Sequence, residues 1–176
     1  MIRPARAGMT EMRRPVDRAQ IPLVTLVALL LIVASPARAA EPPGLDALYP
    51  SLDALYLDLH RNPELSLHEN RTAAEMAARL RAAGFEVTEH VGGTGVVGIL
   101  KNGSGPTVLV RTDMDALPMP EKTGLPYAST VSAKNDAGET VPVMHACGHD
   151  VHMTSWVGAA TLLARTKGRW SGTLVF

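Results

Sequence analysis

The sequence predicts a layered α/β fold, a central β-sheet flanked by helices, and three observations carry that expectation. Apolar residues at helical spacing alternate along the chain with short β-branched runs. Gly and Pro fall at the joins between these stretches. The 137 residues that follow an apolar leader suffice for one compact core, without an internal repeat or low-complexity tract.

The leader comes first. Arg13, Arg14 and Arg18 form a basic region, and Ile21 to Ala34 is apolar for fourteen residues apart from the mild Pro22 and Thr25. Ala37-Arg38-Ala39 then supplies an A-x-A pattern that predicts cleavage before Ala40. This is the layout of a secretory signal peptide, residues 1–39. The apolar run falls short of the roughly 20 residues a membrane span needs. The expectation is an exported protein, periplasmic or secreted, with no stable membrane span after cleavage.

Leu45, Leu48, Tyr49, Leu52, Leu55, Tyr56 and Leu59 recur at helical spacing and predict an amphipathic helix. Pro50 falls within it, either as a break or near the opening turn. Pro63 ends the helical stretch. Ser66 and Glu69 have capping-box spacing before a second helix that runs to about Ala83, with Ala73, Met76, Ala77 and Leu80 buried and Gly84 as the terminating glycine. Phe85–Thr88 and Val96–Leu100 read as strands. The Gly-rich Gly92-Gly93-Thr94-Gly95 between them precedes a strand and not a helix, so it is a turn and not a phosphate loop. Val108 to Val110 reads as a buried strand, Asp150 as the cap of a helix reaching about Arg165, and Leu174 to Phe176 as the start of another strand.

Charge excludes one class of partner. Residues 1–39 hold six Arg and two acids, so residues 40–176 hold 11 basic and 15 acidic groups, a formal −4. Without a basic stripe or an aromatic platform, nucleic acid is not an expected partner.

Metal chemistry is concentrated in one place. Met144-His145-Ala146-Cys147-Gly148-His149-Asp150-Val151-His152 contains the only cysteine and three of the six histidines. A thiolate and an imidazole two residues apart suit zinc or a similar divalent ion. A lone Cys is otherwise a small buried hydrophobe, and that reading competes. A redox role has little support, because no second Cys is present to resolve a disulfide. A catalytic zinc needs about three protein ligands. Upstream, Asp113 and Asp115 follow a strand at its carboxyl end, where α/β sheets bind ligands. In extended backbone both would point to the same side, where one could orient a ligand and the other hold a metal or tune a base. An ordinary Asp-rich turn is the alternative.

The run Arg111-Thr112-Asp113-Met114-Asp115-Ala116-Leu117-Pro118, then Thr123-Gly124-Leu125-Pro126-Tyr127-Ala128, then Met144 to Asp150, resembles the metal-dependent amidohydrolases of the aminoacylase/carboxypeptidase superfamily. Hippurate hydrolases and indole-acetyl-amino-acid hydrolases are the nearest group. His60-Arg61-Asn62-Pro63-Glu64-Leu65 and Gly158-Ala159-Ala160 extend the likeness over about residues 45 to 176. The segment Ala133 to Pro142 is similar to an insertion of one subgroup.

The resemblance implies a zinc-peptidase-like catalytic domain whose N-terminal portion is residues 40–176, with a two-metal site of zinc, manganese, cobalt or nickel. Cys147 and His149 match metal ligands. Asp115 matches the residue that supports the catalytic centre from behind its ligands. Asp113, Asp150 and His152 are expected behind the ligands or on the substrate side. The implied reaction is hydrolysis of the amide bond of an N-acyl amino acid through a metal-activated water. The family's Glu-Glu pair, its later histidine ligands and its lid or dimerisation domain have no match in residues 1–176, although the family is often homo-oligomeric. The expectations are therefore a truncated amidohydrolase, inactive by itself, or a non-catalytic metal-binding fragment.

Overall fold

The structure, a computed structural model, describes residues 43–176. The expected leader and its cleavage site lie outside the described residues.

Helix α1, Leu45–Arg61, buries the leucines of the predicted stripe, Leu48, Leu52, Leu55 and Leu59, while Tyr49 falls off it and is exposed. Pro50 lies inside α1, and the helix continues through it. The proline is on the exposed side, where the carbonyl it leaves unpaired meets water. Asn62 closes α1, its amide N–H reaching the Asp58 and Leu59 carbonyls.

Helix α2, Asn70–Ala82, buries Thr72, Ala73, Met76, Ala77 and Leu80. The Ser66–Glu69 capping box does not form. The Glu64 carboxylate instead accepts the Arg71 and Thr72 N–H groups at 3.1 and 2.7 Å, satisfying two free donors of the first turn. Glu69 is drawn away to accept the Thr94 hydroxyl at 2.6 Å. Gly84, with φ 89°, ends α2 as expected.

Strands β1, Glu86–Val91, and β2, Gly95–Asn102, form an antiparallel hairpin that turns through Gly92 and Gly93. Strand β3, Thr107–Leu109, follows, and β6, Gly172–Val175, returns at the end of the chain. The sheet order is β1-β2-β6-β3, with β6 antiparallel to β2 and parallel to β3. Between them come a small hairpin, β4 Ser132–Lys134 and β5 Thr140–Pro142, and helix α3, His149–Arg165. The polar cluster Asn135–Gly138 makes the β4–β5 turn.

One apolar core joins helices and sheet, with Leu55, Leu59, Leu80, Met153 and Trp156 packed with Leu100, Leu174 and Phe176. Gly98 permits the α2–β2 approach, since a Cβ there would lie 2.6 Å from Leu80 Cδ1. A second cluster, Leu65, Ala116 and Val143, sits under the β4–β5 hairpin.

Two further expectations are corrected. Val108 and Leu109 do not form a buried strand: they are 49% and 68% exposed, because β3 is an edge strand whose only strand partner among the described residues is β6. Asp150 does not precede its helix as a cap. Gly148, with φ 75°, occupies that position, and Asp150 lies in the first turn.

Beside the core, a polar bridge ties α1 to α3. His60, next to Leu59 on the buried stripe, places Nδ1 2.6 Å from Asp150 Oδ2 and Nε2 3.1 Å from Glu121 Oε1. Carboxylates only accept, so both ring nitrogens carry protons and the imidazole is cationic. Burial works to lower its pKa, but the hydrogen bonds to Asp150 and Glu121 prevail and hold it above the usual 6.5. Burial works to raise Glu121, but hydrogen bonds from Thr123, Ser129 and His60 hold it below the usual 4.5.

Two predictions follow from this packing. Leu59→Ala empties a fully buried site and should cost about 2–5 kcal/mol, read as a lower urea midpoint. A loss below 1 kcal/mol, in about the range of a surface change, would show that α1 is not part of the core. The second concerns pH. The raised His60 pKa contributes stability that is whole below pH 6.5 and is lost as pH rises through the higher folded value. The depressed Glu121 pKa contributes stability that is whole above pH 4.5 and is lost as pH falls through the lower folded value. The bridge should therefore stabilise most between pH 4.5 and 6.5. Urea midpoints at pH 5.5 and 8.5 should differ more for the wild type than for His60→Gln, and equal differences would rule the bridge out.

Candidate metal centre

The segment after β3 carries the two aspartates to different places. Regular strand ends at Leu109, so the alternation that would align Asp113 with Asp115 is lost. Asp113 pairs with Arg111 at 2.5 Å, half exposed. Asp115 reaches the first turn of α3. Its main-chain carbonyl lies 2.7 Å from His149 Nδ1, and its carboxylate oxygen Oδ1 lies 3.1 Å from the same nitrogen. Both aspartates still line one cleft of about 490 Å³ at the carboxyl ends of β3 and β6, with Val110, Trp156 and Val175.

The Asp115 contact decides the chemistry of His149. A carbonyl oxygen can only accept, so Nδ1 must carry the proton. In the neutral imidazole the lone pair then sits on Nε2, the state required of a metal ligand. Main-chain pairing places Asp115 for this: Ala116 N–H donates to the Glu64 carbonyl at 2.7 Å, while Leu117 and Met144 exchange hydrogen bonds at 2.9 and 3.0 Å. These bonds align the segment before Pro118 with the segment that leads into Cys147.

Cys147 is exposed, two residues ahead of His149, with Gly148 turning left-handed between them. The His152 ring, one turn on, centres 6.0 Å from that of His149 and is exposed. Asp150 is 2% exposed and turns inward, its Oδ2 against His60 and its Oδ1 accepting the Val151 N–H at 2.9 Å. Asp150 therefore supports the first turn of α3 from within the fold.

The donors fit a divalent metal in kind, a thiol and a free imidazole nitrogen. They fall short in number: among the described residues no group of three or more His, Cys, Asp or Glu is placed to hold one ion. Three glutamates of the preceding segments are engaged elsewhere, Glu64 at the α2 N-terminus, Glu69 with Thr94 and Glu75 with Arg79.

Three residues escaped the sequence reading. His60 and Glu121 form the bridge to Asp150. The available signal was a histidine beside Leu59 on an otherwise apolar stripe, but its partners lie 61 and 90 residues away. His145 is buried, with neither ring nitrogen partnered among the described residues. Burial lowers its pKa, which keeps it neutral.

Known proteins resemble the chain in sequence and fold. Residues 109–176 match the peptidase family M20/M25/M40. Over 107 residues the chain is 49% identical to a hippurate hydrolase of Campylobacter jejuni, covering 60% of this chain and 26% of that protein. Over 136 residues it is 37% identical to an N-acetyl-L-cysteine deacetylase of Bacillus subtilis, covering 77% and 30%. The fold superposes on a crystal structure of a Bacillus subtilis dinuclear metal-binding peptidase of the M20 family with a TM-score of 0.65 and 35% identity, covering 74% of this chain and 34% of that one. The chain thus spans about a third or less of these proteins' length. Sequence and fold agree in matching the chain to the M20 peptidase family, over the N-terminal part of its relatives.

Proposed function

We propose that this chain contributes two ligands, Cys147 and His149, to the dinuclear metal site of an amidohydrolase that cleaves N-acyl amino acids such as hippurate. The observation that carries the reading is the His149 Nδ1–H bond to the Asp115 carbonyl, which leaves Nε2 free for a metal. The substrate class is supported by the similar proteins, named for hydrolysis of hippurate and deacetylation of N-acetyl-L-cysteine.

Bound divalent ions would supply a polarised amide carbonyl and a water acidic enough to attack it. This chain's residues have narrower tasks. Cys147 binds as thiolate and His149 through Nε2, so metal affinity falls as acid protonates either one. Asp115 keeps the His149 ring in one tautomer and one orientation. Asp113, paired with Arg111 at the cleft, and the exposed His152 stand on the open side, facing solvent or substrate. With two donors in place, the 176-residue chain is read as a metal-binding portion without turnover. No helix among the described residues is long and apolar enough to cross a membrane. The leader composition supports export to the periplasm or beyond.

Cobalt tests the ligand assignment. The wild-type chain should take up at most about one Co²⁺, with a thiolate-to-metal absorption band, and should not hydrolyse hippurate. Cys147→Ser should lose the band, and His149→Ala should weaken uptake at least about tenfold. Metal content unchanged in both variants would refute the assignment, and hippurate turnover by the wild type would refute the division of labour. Export predicts a mature protein whose N-terminus, by mass spectrometry, is Ala40. An intact leader on protein retained inside the cell would overturn it.

A further inference from the structure

The exit of α1, His60 to Glu64, holds the sequence neighbours of both partners of the His149–Asp115 contact. On one side His60 Nδ1 holds the carboxylate of Asp150, the residue next to His149, at 2.6 Å. On the other side the Glu64 carbonyl holds the N–H of Ala116, the residue next to Asp115, at 2.7 Å. The Glu64 side chain anchors the start of α2, and Pro63 is buried between these two residues, so the clamp is itself fixed to two helices. His60 cannot shift alone, because its other nitrogen faces Glu121 and the rings of Tyr56 and Tyr127 centre 5.5 and 5.3 Å from it.

A bridge needed only to join α1 to α3 could be apolar, as the core beside it is, and apolar replacement of buried ion pairs is often neutral or stabilising. The charged bridge instead holds the particular turn that carries His149. We propose that His60 is a positioning residue: by holding Asp150 while Glu64 holds Ala116, it keeps His149 against the Asp115 carbonyl with Nε2 presented outward. The proposal rests on the metal reading for its purpose and stands on hydrogen bonding for its geometry.

The test uses the whole chain, labelled with ¹⁵N-histidine, and two variants of similar size. In His60→Asn the side-chain amide takes the place of Nδ1 and can still donate to Asp150. In His60→Gln it takes the place of Nε2 and reaches Glu121 instead. The wild type and His60→Asn should show His149 as a single Nδ1–H tautomer and bind Co²⁺ alike. His60→Gln, with an unchanged circular dichroism spectrum, should show mixed tautomers and about tenfold weaker Co²⁺ binding. A simple packing role would not separate Asn from Gln in this way. An unchanged His149 tautomer and Co²⁺ affinity in folded His60→Gln would overturn the proposal. If His60→Gln does not fold, Asp150→Asn, which keeps an acceptor for the Val151 N–H but loses the charged bond to His60, is judged by the same two readouts. If the wild type binds no Co²⁺, the metal reading falls, and the His149 tautomer alone decides the role of His60.

Discussion

A cationic imidazole enclosed between two carboxylates is costly to bury unless every proton and lone pair finds a partner. His60 meets that condition with Asp150 and Glu121, and the rest of the site depends on it doing so. Three segments far apart in sequence converge there: the end of α1, the stretch after Pro118 and the first turn of α3. Glu121 is held in turn by the Ser129 N–H at 2.6 Å and the Thr123 hydroxyl at 2.5 Å, so the loop between Pro118 and β4 is committed to the same centre. Removing one partner leaves an unmatched charge, which is why the arrangement holds as a unit.

The apolar core supplies the platform. Leu55, Leu59, Leu80 and Met153 are sealed between helices and sheet, and Gly98 allows α2 to close on β2 without a side chain in the way. This packing fixes where α3 begins. The parallel pairing of β3 with β6 brings the Asp113–Asp115 segment out at the carboxyl ends of the strands, over the start of α3. Asp115 and His149, 34 residues apart, meet because the sheet and α3 are both anchored to one core.

Two neighbouring aspartates take opposite roles through backbone alone. Once β3 ends at Leu109, no pleat keeps Asp113 and Asp115 on one side. Asp113 turns to Arg111, while Asp115 offers a main-chain carbonyl as well as its carboxylate to His149. The carbonyl is the more informative contact, because it admits only one tautomer of the ring.

Much of this was legible in the chain before folding. The leucine stripe of α1, the glycine after α2, the Gly-rich hairpin turn and the joint occurrence of Cys147 and His149 are local facts, set by periodicity, backbone freedom and donor chemistry. The misreadings were also local in origin. Ser66 and Glu69 satisfied a capping pattern, yet the Glu64 carboxylate takes the free N–H groups. Val108 and Leu109 had the composition of an inner strand but lie at a sheet edge. The amino-acid sequence by itself determined the elements and the metal-binding chemistry, since both follow from residues within a few positions of one another. Only the tertiary structure decided that His60 meets Asp150 and Glu121 and that a main-chain carbonyl selects the His149 tautomer. Those contacts join residues 34 to 90 positions apart, and no local pattern encodes a distance that packing alone sets.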